Sequence, residues 1–212
     1  MLQAVIFDFD GTLADTLPLC IAAFRNAIEP ATGRSLSDEE IVATFGPSEE
    51  GTIQALAPAH YDTCLRAYLT HYETLHDEYP HPFEGIVALL EALQSRNVRI
   101  GLVTGKGRQS TEISLNRLAL APYFEHIETG SPQGPRKVDG IRTMLTAWGL
   151  EPAQAVYVGD APSDILASQE VGIPVVSVAL TPLAEPKKLA SLRPDALVHS
   201  VEELHTWLLG RL

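Results

Sequence analysis

Gln3-Ala-Val-Ile-Phe-Asp-Phe-Asp-Gly-Thr-Leu-Ala-Asp15 is the stretch on which the fold turns. Residues 3–9 form a short apolar run rich in β-formers, the pattern of a buried strand. Asp-Gly-Thr then supplies turn chemistry. Beyond the turn, Leu17, Cys20, Ile21, Phe24, Ala27 and Ile28 recur at helical spacing over residues 16–29.

Outward from this start, everything up to residue 80 reads as helix. Thr32-Gly33-Arg34 breaks the first helix, and Ser37 with Glu40 forms a capping box ahead of Ile41 and Val42. Residues 45–51 read as a loop with a helix start. Tyr61, Leu65, Tyr68, Leu69, Tyr72 and Leu75 give a further helix over 59–78, with the tyrosines as this segment's own core. Pro80 and Pro82 favour an extended connector. The pattern then alternates. Helices are expected at 85–96, 108–119, 138–149, 163–171 and 201–211. Strands are expected at 98–103, 126–129, 154–158 and 174–178, with an edge strand at 195–198. Residues 181–194, rich in proline and lysine, read as an exposed loop. Strands alternating with helices of this length predict an α/β fold with a Rossmann-like, doubly wound parallel sheet. The expected organisation is a core of residues 1–14 and 83–212, interrupted after its first strand by an all-α insert at 15–82.

Bulk properties narrow the function. The chain has 212 residues and a net charge of -12, an acidic balance that argues against nucleic-acid binding and against docking on anionic membranes. The beginning of the chain lacks the basic region and cleavage site of a signal peptide, and no apolar stretch reaches the length that spans a bilayer. Cys20 and Cys64 lie in apolar helical settings and read as packed thiols. A cytoplasmic monomer is the expectation.

Parallel sheets of this class bind ligands at the carboxyl ends of their strands. Asp8 and Asp10 end the first strand, Thr104 ends the second, and Asp160 and Asp164 follow the strand at 154–158. Lys137 begins a helix between the last two sites. Clustered carboxylates repel one another unless a cation neutralises them, and Mg²⁺ prefers a few carboxylates with water and substrate phosphate. A carboxylate can attack phosphorus, and a second one two residues on can shuttle the protons. A lysine and a hydroxyl can hold phosphoryl oxygens.

These residues also carry a resemblance. Asp8-Phe-Asp-Gly-Thr-Leu13 with Asp15 resembles the first motif of the haloacid dehalogenase superfamily. Val103-Thr104-Gly105 is similar to the second motif, Pro135-Arg136-Lys137 to the third, and Gly159-Asp160-Ala-Pro-Ser-Asp164 to the fourth. The likeness covers essentially the whole chain. It implies an aspartyl-phosphate mechanism with Asp8 as nucleophile and metal ligand. It makes Asp10 the general acid/base, binding metal through its backbone carbonyl. Thr104, Gly105 and Lys137 would hold the phosphoryl group, and Asp160 and Asp164 would hold Mg²⁺. The insert resembles the small helical cap of the phosphoglycolate phosphatase-like branch, which implies hydrolysis of a small, phosphoglycolate-like phosphomonoester. A pyrophosphatase, a sugar phosphomutase and a silent phospho-ligand-binding relative are the alternatives.

Lys137 is followed by Val138, not the proline usual in the third motif, so Arg136 is the other candidate for that role. The presence of Asp10 favours phosphate chemistry, in which a leaving alcohol must be protonated. Gly46 and Ser48 lie where such caps place substrate-reading residues. The insert holds eleven acidic residues against Arg25, Arg34 and Arg66, which points to a leaving group of modest charge. His60, His71, His76 and His81 fit no zinc spacing and read as surface or packing residues.

Overall fold

The computed structural model describes residues 2–212. Six strands form one parallel sheet: β1 (Ala4–Phe7), β2 (Arg99–Val103), β3 (His126–Glu128), β4 (Ala155–Gly159), β5 (Val175–Val178) and β6 (Ala196–Val198). Their order is β3-β2-β1-β4-β5-β6. The chain therefore winds one way from β1 through β2 to β3, then returns to lay β4 on the other side of β1. That reversal leaves a crevice at the carboxyl ends of β1 and β4. Register fixes what lines it. Phe7 pairs with Leu102 on one side and Val158 on the other, so Asp8, Thr104 and Asp160 all emerge within two residues of that row.

Successive side chains of β1 point to opposite faces. Val5 and Phe7 join Leu102, Val156 and Val158 on one face, beneath α5 (Ile86–Gln94), α6 (Arg108–Arg117) and α10 (Val201–Leu209). Ala4 and Ile6 join Val103, Tyr157 and Val175 on the other, covered by α7 (Lys137–Trp148), α8 (Pro162–Val171) and α9 (Pro186–Ser191). With helices on both faces, the central strands are apolar throughout, as a doubly covered parallel sheet requires.

Between β1 and β2 lie α1 (Leu17–Thr32), α2 (Asp38–Val42), α3 (Glu49–Leu56) and α4 (Tyr61–Leu75). They share a third apolar cluster, in which Phe24 lies 4.3 Å from Tyr68 between ring centroids. Helix α1 stops at Gly33, whose left-handed φ of 68° lets its N–H reach the Glu29 carbonyl. The Ser37–Glu40 capping box forms as the sequence predicts: the Glu40 N–H donates to Ser37 Oγ at 3.2 Å, and the Ser37 N–H donates to Glu40 at 2.9 Å.

One expectation needs correction, and another is met and extended. Residues 181–194 are not wholly an exposed loop, because α9 forms within them and buries Leu189 completely. Tyr72 does more than fill the helical cluster: its hydroxyl lies 2.7 Å from Ser114 Oγ on α6. His76, at the end of this helical segment, is buried and its Nε2 lies 3.1 Å from the same Ser114 hydroxyl. Cys20 and Cys64 are free and buried.

Candidate active site

Asp8 follows the last residue of β1 and is nearly inaccessible. The Phe9 N–H donates to its Oδ1 at 2.7 Å, and Lys137 Nζ donates to its Oδ2 at 2.6 Å. Lys137 is the first residue of α7, and its ammonium also bonds Asp164 Oδ1. Arg136, the alternative for this position, is exposed. Asp160 follows β4, and Asp164 stands in the first turn of α8, where its Oδ2 accepts the Ala161 N–H at 2.9 Å. Thr12 Oγ1 reaches Asp160 Oδ1 at 3.4 Å. Gly11 makes this approach possible. Its φ is +72°, and a Cβ there would overlap the Asp160 carboxylate.

One oxygen each from Asp8, Asp160 and Asp164 lie within 4.8 Å of one another. Such closeness has an electrostatic cost. Burial pushes the Asp8 carboxyl up to about 6, with the Asp164 and Asp10 charges adding to the rise and Lys137 opposing it. Asp160 is raised well above the carboxylate range by burial and by the Asp164 and Asp8 charges. Burial disfavours the Lys137 ammonium, but Asp164 and Asp8 outweigh that and hold it charged. The cluster with Asp10 contains four carboxylates against two ammonium groups, those of Lys137 and Lys106. Two uncompensated negative charges on hard oxygen donors fit a divalent cation such as Mg²⁺.

Asp10 points toward the helical insert. Its Oδ1 accepts a 2.6 Å bond from the Thr16 hydroxyl and a 3.2 Å bond from Lys106 Nζ. Thr16 is the N-cap residue of α1, so the entry to the insert grips Asp10 directly. Thr104 is buried in the turn after β2, and its Oγ1 accepts the Lys106 N–H at 3.3 Å. Gly105 is half-buried with open space where a Cβ would stand. Of the loop residues singled out by sequence, Gly46 is exposed, whereas Ser48 is buried and its N–H donates to the Ser131 carbonyl at 3.0 Å. Ser48 therefore joins the insert to the loop before α7.

Three contributors were missed. Lys106 is buried, with Nζ 3.4 Å from Cys20 Sγ and 4.3 Å from the centre of the Tyr72 ring. A lysine two residues past a strand-end threonine was its signal. Thr16 gave none, because an N-cap threonine is commonplace. Glu49 directly follows Ser48, and its place depends on a contact across the fold: its Oε2 accepts the Gly107 N–H at 2.6 Å.

Residues 5–178 match the family described as haloacid dehalogenase-like hydrolase. The chain is 32% identical over 205 residues to pyrophosphatase PpaX of Bacillus pumilus, covering 96% of this chain and 94% of that protein. It is 31% identical to a phosphoglycolate phosphatase of Synechococcus elongatus, over 96% of this chain and 95% of that one. A haloacid dehalogenase-like hydrolase from Streptococcus pneumoniae superposes with a TM-score of 0.76 at 25% identity, covering 98% of both chains. CbbY from Rhodobacter sphaeroides, solved with phosphate, shares the fold at a TM-score of 0.81 and 22% identity over 96% of both chains. With the sheet order, the strand-end carboxylates and this match over most of its length, the chain belongs to the haloacid dehalogenase-like hydrolases.

Proposed function

We propose that this protein is a Mg²⁺-dependent phosphatase that hydrolyses a small phosphomonoester, of phosphoglycolate's size, through an aspartyl-phosphate. The observation that carries the reading is the convergence of Asp8, Asp160, Asp164 and Lys137 at the carboxyl ends of β1 and β4. Asp8, Asp160 and Asp164, with the Asp10 carbonyl, would hold the metal. Bound there, the ion would neutralise phosphate charge and orient the phosphoryl group.

The chain's own residues divide the remaining work. An Asp8 carboxylate oxygen attacks phosphorus, forming an O–P bond as the bond to the leaving oxygen breaks. Asp10 gives its proton to that leaving oxygen, then takes one from the water that cleaves the aspartyl-phosphate. Thr16 and Lys106 hold the Asp10 carboxylate in place for both steps. Lys137, the Thr104 hydroxyl and the Gly105 N–H hold the phosphoryl oxygens. Residues 15–82 act as a cap over the site, and the Asp10–Thr16 bond links acid/base alignment to the cap's position. A cytoplasmic setting suits a small phosphorylated metabolite, and among the described residues no helix is long and apolar enough to cross a membrane.

The decisive experiment measures phosphate release with Mg²⁺ from a panel of small esters and pyrophosphate. Asp8→Asn should lower turnover by a factor on the order of 10³ or more, since the nucleophile is lost. Asp10→Asn should cost about 10²–10⁴-fold. Turnover by Asp8→Asn at the wild-type rate would exclude the covalent route. Release from no compound at all would favour a mutase or a silent phospho-ligand-binding protein.

A further inference from the structure

Tyr157 takes no part in these steps, yet its hydroxyl ends beside them. It stands in the middle of β4 with no exposed surface. Its ring lies on the sheet face covered by α7, α8 and α9, in the row that runs from Tyr157 through Ile6 to Gly101. The hydroxyl donates to the Val103 carbonyl at 2.7 Å. β1 lies between β4 and β2, so this bond passes over a whole strand. Burial and the Asp164 and Asp8 charges push the phenol well above its ordinary range, so the oxygen keeps its proton and remains a donor.

Val103 needs that donor because β1 stops short. In the parallel ladder Phe7 stands opposite Leu102. One step further along, the Phe9 N–H would reach the Val103 carbonyl. The chain turns instead. The Phe9 carbonyl accepts the Leu13 N–H at 2.8 Å, and the Phe9 N–H donates to Asp8 Oδ1 at 2.7 Å. Val103 is buried, and a buried carbonyl left without a donor is costly. The Val103 carbonyl and the Asp8 carboxylate therefore compete for one N–H, and Tyr157 settles the competition by serving the first.

We propose that Tyr157 is a positioning residue for the nucleophile: its hydroxyl satisfies the Val103 carbonyl and so reserves the Phe9 N–H for Asp8. With Lys137 on Oδ2 and the Phe9 N–H on Oδ1, the carboxylate is held at both oxygens. Without the phenol, the Phe9 N–H turns toward Val103 and Asp8 keeps only the lysine. The inference rests on the phosphatase reading, which makes Asp8 the attacking group.

The test compares Tyr157→Phe with wild type and with Leu189→Ala, a core variant remote from the site. Phenylalanine keeps the ring and removes only the hydroxyl, and thermal melting checks the fold. With Mg²⁺ and the best ester of the panel, kcat should fall by about 10- to 100-fold, the cost of a misplaced nucleophile, with KM within about twofold. The ¹H–¹⁵N amide resonance of Phe9 in the same Mg²⁺-loaded proteins should move in Tyr157→Phe and stay in place in Leu189→Ala. If Tyr157→Phe lowers the melting temperature yet keeps kcat and the Phe9 resonance, Tyr157 is only a core brace and the proposal is overturned. A lowered kcat with an unmoved Phe9 resonance overturns it too, as does a moved resonance with unchanged kcat in a protein that turns over. If the wild type releases no phosphate from any compound, hydrolysis falls and the Phe9 resonance alone decides. Moved, it keeps the hold of Tyr157 on Asp8; unmoved, it removes that as well.

Discussion

At Asp8 the protein places a carboxyl where water cannot solvate it and where two other carboxylates crowd it. The result is a group raised from 3.8 to about 6 by burial first, then by Asp164 and Asp10, against the pull of Lys137. A raised folded pKa means that the folded state holds the proton more tightly than the unfolded chain. The stability this contributes is fully present below pH 3.8 and is lost as pH rises through about 6, a swing on the order of 3 kcal/mol. Denaturant titrations in a chelator between pH 4 and 7 should therefore show wild type losing stability relative to Asp8→Asn as pH rises. Parallel curves would mean that Lys137 already satisfies the carboxylate. Adding Mg²⁺ should flatten the difference, because a cation takes over the compensation. The same residue-scale logic explains what the sequence could and could not reveal. Asp8, Asp10, Thr104, Asp160 and Asp164 announce themselves by standing where strands end, and Lys137 by beginning a helix. Thr16 and Lys106 matter only through what they touch, and their touching partners, Asp10 on β1's end and Tyr72 on α4, are set by tertiary packing.

Among the elements, those of the sheet and its long helices were legible because periodicity and burial agree over many residues. The strand expected at 98–103 is β2 at Arg99–Val103, and the helix expected at 138–149 is α7 at Lys137–Trp148. Helix α9 was not legible. It spans six residues, and Leu189 is its fully buried anchor beside exposed lysines, which is too little pattern to outweigh the prolines around it. Its dependence on one side chain gives a prediction. Leu189→Ala should destabilise the protein by about 2–5 kcal/mol, read as a lowered denaturation midpoint, and leave kcat unchanged because α9 lies outside the site. A cost below about 1 kcal/mol would mean that the segment packs loosely. The capping box at Ser37 and Glu40 was legible for the opposite reason: it is a local contract between residues three apart. Ser37→Ala should lower stability by about 1 kcal/mol in the same titration.

For the molecule as a whole, a cation held by the carboxylate cluster would make folding and ion binding one equilibrium. An ion held by the folded chain alone stabilises it by about 2.7 kcal/mol at a hundred times its Kd. For a chain of this size that corresponds to a rise in Tm of roughly 5–10 °C, reversed by chelator and lost in Asp160→Asn. A Tm indifferent to Mg²⁺ would show that no ion binds at this cluster. The central position of β1 has a further consequence, in time. β1 is first in the chain, yet its two neighbours are residues 99–103 and 155–159. At about 5–20 residues per second, the ribosome needs roughly 8–30 s after making β1 to complete its second partner. During that interval Ala4 to Phe7, wholly buried in the finished protein, have no sheet to enter. The buried apolar cluster of the four helices that follow β1 is drawn from residues 19–72 alone, so they can assemble first. Nascent chains arrested before residue 155 should thus carry an ordered helical insert beside an unpaired, chaperone-attracting strand, and Asp8 comes into position only when β4 pairs beside β1.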